Sequence, residues 1–95
     1  MTDRELLEAA AKAAGIWNAN DPNMGLLKPS GQYWSPLVDD GDALRLAVKL
    51  GLTVDAGAHR ATDGMGTWSA QAGERDGYAA TRRAIVRAAA AMSAS

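Results

Sequence analysis

The stretch Tyr33-Trp34-Ser35-Pro36-Leu37-Val38-Asp39-Asp40-Gly41-Asp42-Ala43-Leu44-Arg45-Leu46-Ala47-Val48-Lys49-Leu50-Gly51-Leu52 decides how this chain is read. It passes from an aromatic strand end through a proline turn and an acidic cap into a helix. Ser35 precedes Pro36 and is biased toward extended geometry, so the strand closes there. Asp39 or Asp40 caps the helix, and Asp39, Asp40 and Asp42 complement the positive end of its dipole. Gly51 followed by apolar Leu52 is a left-handed stop. Within the helix, Asp42, Arg45 and Lys49 share one stripe at i, i+3 and i+7. Ala43, Leu44, Leu46, Ala47, Val48 and Leu50 cover most of the remaining circumference. A helix apolar over that much surface is packed on more than one side. It is therefore predicted to be the structural hub, with Leu44, Ala47, Val48 and Leu50 inside and Trp34 as its anchor.

Working outward, the N-terminal Thr2-Asp3-Arg4-Glu5 matches a capping box, in which Thr2 and Glu5 satisfy each other's amides. Leu6, Leu7, Ala10, Ala11 and Ala14 follow at helical spacing and Gly15 supplies the stop, predicting a helix over 3–14. Its apolar face is small and permits close approach by a neighbour. Residues 17–23 carry Asn, Asp and Pro without a period and read as a loop. Met24 to Lys28, the turn Lys28-Pro29-Ser30-Gly31, and Gln32 to Trp34 read as a hairpin.

Beyond the central helix, Leu52-Thr53-Val54-Asp55-Ala56 alternates, predicting a strand with Leu52, Val54 and Ala56 inward. His59 to Gly64 reads as a loop with an Asp63-Gly64 turn, Met65 to Ala70 as the return strand, and 71–77 as an exposed loop. A last helix is predicted from about Tyr78 to Met92, capped by Asp76, with Tyr78, Ile85, Ala89 and Met92 on its buried arc. The expected fold is one α+β domain: three helices with a small antiparallel sheet, in the order α-ββ-α-ββ-α.

Composition bounds the function. A chain of 95 residues buries roughly 60–65% of the surface its unfolded form exposes. The net charge of −1 carries no overall bias toward nucleic acid or anionic membrane. With no cysteine, disulfides and thiolate metal sites are excluded. No secretory signal and no membrane span is read from the sequence, and a reducing cytosol is the simplest setting. The absence of Phe puts the bulky core on Leu, Met and the tryptophans Trp17, Trp34 and Trp68.

The segment Tyr33–Gly51, the opening Asp3-Arg4-Glu5-Leu6-Leu7-Glu8-Ala9-Ala10-Ala11-Lys12-Ala13-Ala14-Gly15-Ile16 and the closing Tyr78-Ala79-Ala80-Thr81-Arg82-Arg83-Ala84-Ile85-Val86-Arg87 resemble small tailed-phage and prophage proteins of unknown function. These proteins are related in style to phage ABA-sandwich domains. The resemblance covers about half the chain, leaving out 17–31 and 55–77. It implies a phage origin and an α+β sandwich, and neither a reaction nor a ligand.

Each candidate site has a plain alternative. Asp39, Asp40 and Asp42 lack the ligand ladder of a calcium loop, and a helix cap accounts for them. His59, with Arg60 and Asp63 beside it, has no nucleophile to serve: there is no Cys and no Ser in an elbow. Gly64-Met65-Gly66 is turn chemistry rather than a phosphate loop. No cofactor and no metal is implied, and an enzyme is not expected. Arg82, Arg83 and Arg87 form the one basic concentration, with Arg82 at the buried margin and expected to pair internally. Trp17, Met24, Trp68, Arg83 and Arg87 are the candidate partner-binding residues, since tryptophan and arginine are enriched at binding hot spots.

The leading expectation is a phage-encoded accessory protein that binds a host or phage protein, for example to inhibit a host defence system such as CRISPR interference. The alternative is a nucleic-acid-binding accessory protein using the Arg82/Arg83/Arg87 face. The third is a structural or self-associating virion component.

Overall fold

The computed structural model describes residues 2–15, 34–64, 66–69 and 76–93. Its elements are α1 (Asp3–Ala14), α2 (Asp40–Leu50), β1 (Thr53–Asp55), β2 (Arg60–Thr62), β3 (Thr67–Ser69) and α3 (Gly77–Ser93). The three strands form an antiparallel sheet in the order β1-β2-β3. The fold is α+β, as expected. The hairpin predicted over 24–34 lies outside the described residues, apart from Trp34, which is buried.

The local signals around α1 act as read. Thr2 accepts from the Glu5 amide at 3.1 Å while its own amide donates to the Glu5 carboxylate at 3.3 Å. Gly15 turns left-handed at φ 75°, and its amide donates to the Lys12 carbonyl at 3.1 Å. At the end of α2, Gly51 adopts φ 68°, its amide donates to Val48 at 3.2 Å, and the Leu52 amide reaches Ala47 at 2.9 Å. That pair of bonds is the Schellman pattern.

The hub is α3, not α2. Helix α3 buries Ala80, Ala84, Ile85, Val86, Ala88, Ala89 and Ala90, residues too close in sequence to fit one face of a 3.6-residue period. It packs on α1, α2 and all three strands, and most extensively on α1. Alanine makes this feasible, because small side chains let several backbones approach one helix. Ala10, Ala11 and Ala14 of α1 are buried in the same core.

Helix α2 corrects the sequence reading in detail. It buries Asp42, Ala43, Leu46 and Ala47 and leaves Leu50 half-buried, a stripe along one side. Leu44 is 63% exposed and Val48 73% exposed, on the opposite side. Asp42, which the sequence places on the charged stripe with Arg45 and Lys49, is only 1% exposed. The reason is specific: its carboxylate accepts the Ser35 amide at 2.9 Å and the Arg45 guanidinium at 2.8 Å. A buried carboxylate so engaged costs far less than an unpaired one, and it rotates the buried side of α2 away from Leu44 and Val48. Ala47 and Trp34 are in the core as predicted.

The sheet contains one strand that the sequence reading missed. Arg60–Thr62 was assigned to a loop and is β2, paired on both sides with Val54 opposite Ala61 and Ala61 opposite Trp68. The turn from β1 is short: Asp55 accepts the Ala58 amide at 3.1 Å, and His59 adopts φ 56°. The predicted Asp63-Gly64 turn joins β2 to β3. The Thr62 hydroxyl donates to the Gly66 carbonyl at 2.6 Å, and Asp63 accepts the Gly66 amide at 3.1 Å. Ala56 is exposed rather than inward, because the chain has already entered the β1–β2 turn.

Candidate functional site

Three arginines on one helix suggested a basic face, and the structure sends them to three different elements. Arg82 is largely buried; its Nε donates to the Leu37 carbonyl at 2.9 Å and its Nη1 to Asp40 at 2.5 Å. Arg83 grips Asp3 of α1 with two bonds, at 2.9 and 3.2 Å. Arg87 donates to the Ser69 carbonyl at the end of β3. Arg82 thus pairs internally, as its position at the buried margin implied. The arginines tie α3 to α2, to α1 and to the sheet.

The remaining sequence candidates separate. Trp17 and Met24 lie outside the described residues, as does Met65. Trp68 is half-buried on β3, packs against the core, and lies against Gly66, where an added Cβ would come within 3.0 Å of its ring. Arg87, reaching Ser69, is its near neighbour, while Arg83 works elsewhere. Asp39 accepts the Asp42 amide at 2.7 Å and is the N-cap of α2. The three aspartates are thereby divided among a cap, a pair with Arg82 and a buried anchor. His59 does not join Asp63: Arg60 pairs with Asp55 at 3.3 Å, and His59 turns toward α3.

What the structure assembles instead is a groove of about 570 Å³ running along α3 between α2 and the β1–β2 turn. Ala43, Val54 and Ile85 make its floor apolar, and Leu44 and Tyr78 stand on its rim. Tyr78 is 71% exposed, correcting its predicted inward placement. It sits in the first turn of α3, whose groove side no described element covers. The volume falls in the range of roughly 300–1,000 Å³ typical of ligand sites.

The polar groups of the groove have defined roles. Asp76 caps α3, accepting the Tyr78 amide at 3.0 Å. The Thr81 hydroxyl donates to the Gly77 carbonyl at 2.8 Å, so its one proton is committed. His59 Nδ1, 3.2 Å from the same oxygen, must therefore be the donor. In the neutral ring this fixes the tautomer and leaves Nε2 as an acceptor. The left-handed backbone of His59 lays the imidazole over Gly77, where a Cβ would come within 3.0 Å of the ring.

Sequence reasoning had two of these residues in other roles, Leu44 as core and Tyr78 as inward, while Asp76 caps its helix as predicted. The one signal available was the surplus of apolar positions on α2, more than a single buried side can use. No family model matches the sequence, and no curated protein or solved structure was found to be similar to it. Among the described residues no helix is long and apolar enough to cross a membrane, and no group of acidic or histidine side chains is arranged to hold a metal ion.

Proposed function

We propose that this chain is a phage-encoded accessory protein that acts by binding a protein partner, and that the groove along α3 is where it does so. The observation that carries the reading is the pair of large apolar side chains, Leu44 and Tyr78, held exposed on either side of an apolar floor. A concave, mostly apolar groove with a few polar groups at its edge is the usual form of a binding site. The phage origin rests on the resemblance of the Tyr33–Gly51, Asp3–Ile16 and Tyr78–Arg87 segments. Inhibition of a host defence system, acting in the host cytoplasm, is the form of binding that suits such a protein. The pairing of Arg82, Arg83 and Arg87 with acceptors of this chain favours a protein partner over nucleic acid.

Affinity capture from phage-infected cells, run in parallel with the native chain and a Leu44→Gln/Tyr78→Ser double variant, tests this. A protein retained by the native chain and lost with the variant supports the proposal. Identical recovery with both, or nothing above background with either, overturns it.

A further inference from the structure

The groove also carries information about what enters it. Its rim presents acceptors: the exposed carboxylates of Asp40 and Asp76. The donors nearby are largely engaged. Arg82 commits Nε to Leu37 and Nη1 to Asp40, and the Thr81 proton goes to Gly77. The Asp40–Arg82 pair is neutral as a unit, so among the described lining residues Asp76 contributes the remaining negative charge. The exposed ring of Tyr78 adds a face that attracts cations. An apolar floor under an acceptor-rich, negative rim complements a ligand of the opposite kind.

We infer that the groove takes a peptide segment of a protein partner in which apolar side chains are flanked by Lys or Arg. The apolar side chains fill the space over Ala43, Val54 and Ile85 beside Leu44. The cationic ends reach Asp76 and Asp40 and lie near the Tyr78 ring. This rests on the reading of the groove as a protein-binding site and adds the chemistry of the segment that it holds.

The test is selection of a random linear peptide library on the folded, immobilised full chain, followed by fluorescence anisotropy of the enriched peptides. Two variants probe the two halves of the inference. Leu44→Gln removes an exposed apolar wall, and Asp76→Asn removes the charge while retaining a side chain that caps helices well. The expected result is enrichment of apolar sequences bearing Lys or Arg. Their affinity should fall about tenfold in Leu44→Gln and about two- to fivefold in Asp76→Asn, with the latter difference shrinking as salt rises. Circular dichroism of both variants should match the native chain.

Enriched peptides that are acidic or uncharged, or indifferent to Asp76→Asn, overturn the inference and leave the groove's binding role standing. No enrichment, or enrichment indifferent to Leu44→Gln, overturns both. Sedimentation showing self-association abolished by Leu44→Gln would put a second copy of the chain in the groove and also overturn it.

Discussion

Arg83 holds Asp3 through two parallel hydrogen bonds, Nη1 to Oδ1 at 2.9 Å and Nη2 to Oδ2 at 3.2 Å, across 80 residues of sequence. The hydrogen bonds from Arg83 keep the Asp3 carboxyl below its usual pKa of 3.8. A carboxyl depressed on folding stabilises the native state above its unfolded pKa and loses that contribution as pH falls through the folded value. Asp3 is 63% exposed, so solvent screens the pair, and its contribution is about 0.5–1 kcal/mol. Urea titrations of the native chain and Asp3→Asn should therefore differ by about that amount near neutral pH. The difference should disappear once the pH is well below 3.8 and Asp3 is protonated in both states. A difference that persists there would mean that the carboxylate is not its source.

Asp42 is the opposite electrostatic case, a carboxylate inside the protein. Asp42→Asn keeps the shape but turns one acceptor into a donor facing either the Ser35 amide or Arg45. Stability should drop by about 1–3 kcal/mol, the cost of stranding a buried polar group. Because Ser35 leads into the buried Trp34 on one side and Pro36 on the other, near-ultraviolet circular dichroism should report the loss as altered tryptophan packing.

The exchange of roles between α2 and α3 gives a paired prediction. Ala11→Leu adds bulk at a fully buried position of α1 and should destabilise by about 1–3 kcal/mol. Leu44→Gln, on a side chain that the fold leaves exposed, should stay within about 0.5 kcal/mol of the native chain. Thermal unfolding of both variants checks the order. A reversed order would restore α2 as the hub.

Gly51→Ala isolates a backbone term. The residue sits at φ 68°, and an added Cβ would meet nothing within 4 Å. The expected loss of about 1 kcal/mol is therefore conformational rather than steric. Gly51→Asn, which tolerates the left-handed region better, should cost less. Chemical denaturation of the two variants separates these outcomes.

The parts of the fold that sequence made legible are those fixed within a few residues of chain. The Thr2–Glu5 box, the stops at Gly15 and Gly51 and the Asp39 and Asp76 caps each need only their own neighbours. The side of α2 that faces inward is different. Its apolar residues surround the helix, and the choice was made by Asp42 binding a backbone amide seven residues upstream. Strand β2 was hidden for want of signal, since Ala61 is its only apolar residue and is small. The groove was hidden for a third reason: it is a gap bounded by residues around 40–44, 54–59 and 76–85, and no single stretch encodes a gap.

The close packing of α1 against α3 has a consequence for how the chain acquires its structure during synthesis. Helix α1 leaves the ribosome before α3, with well-formed caps but with its principal packing surface still untranslated. A helix of that length is marginal in water when unsupported. The lasting contacts of Ala10, Ala11 and Ala14 must wait for α3, and closing so long a span carries an entropic cost. Cooperative folding is thus deferred until α3 has emerged, and truncation before α3 should release a species that proteases degrade readily.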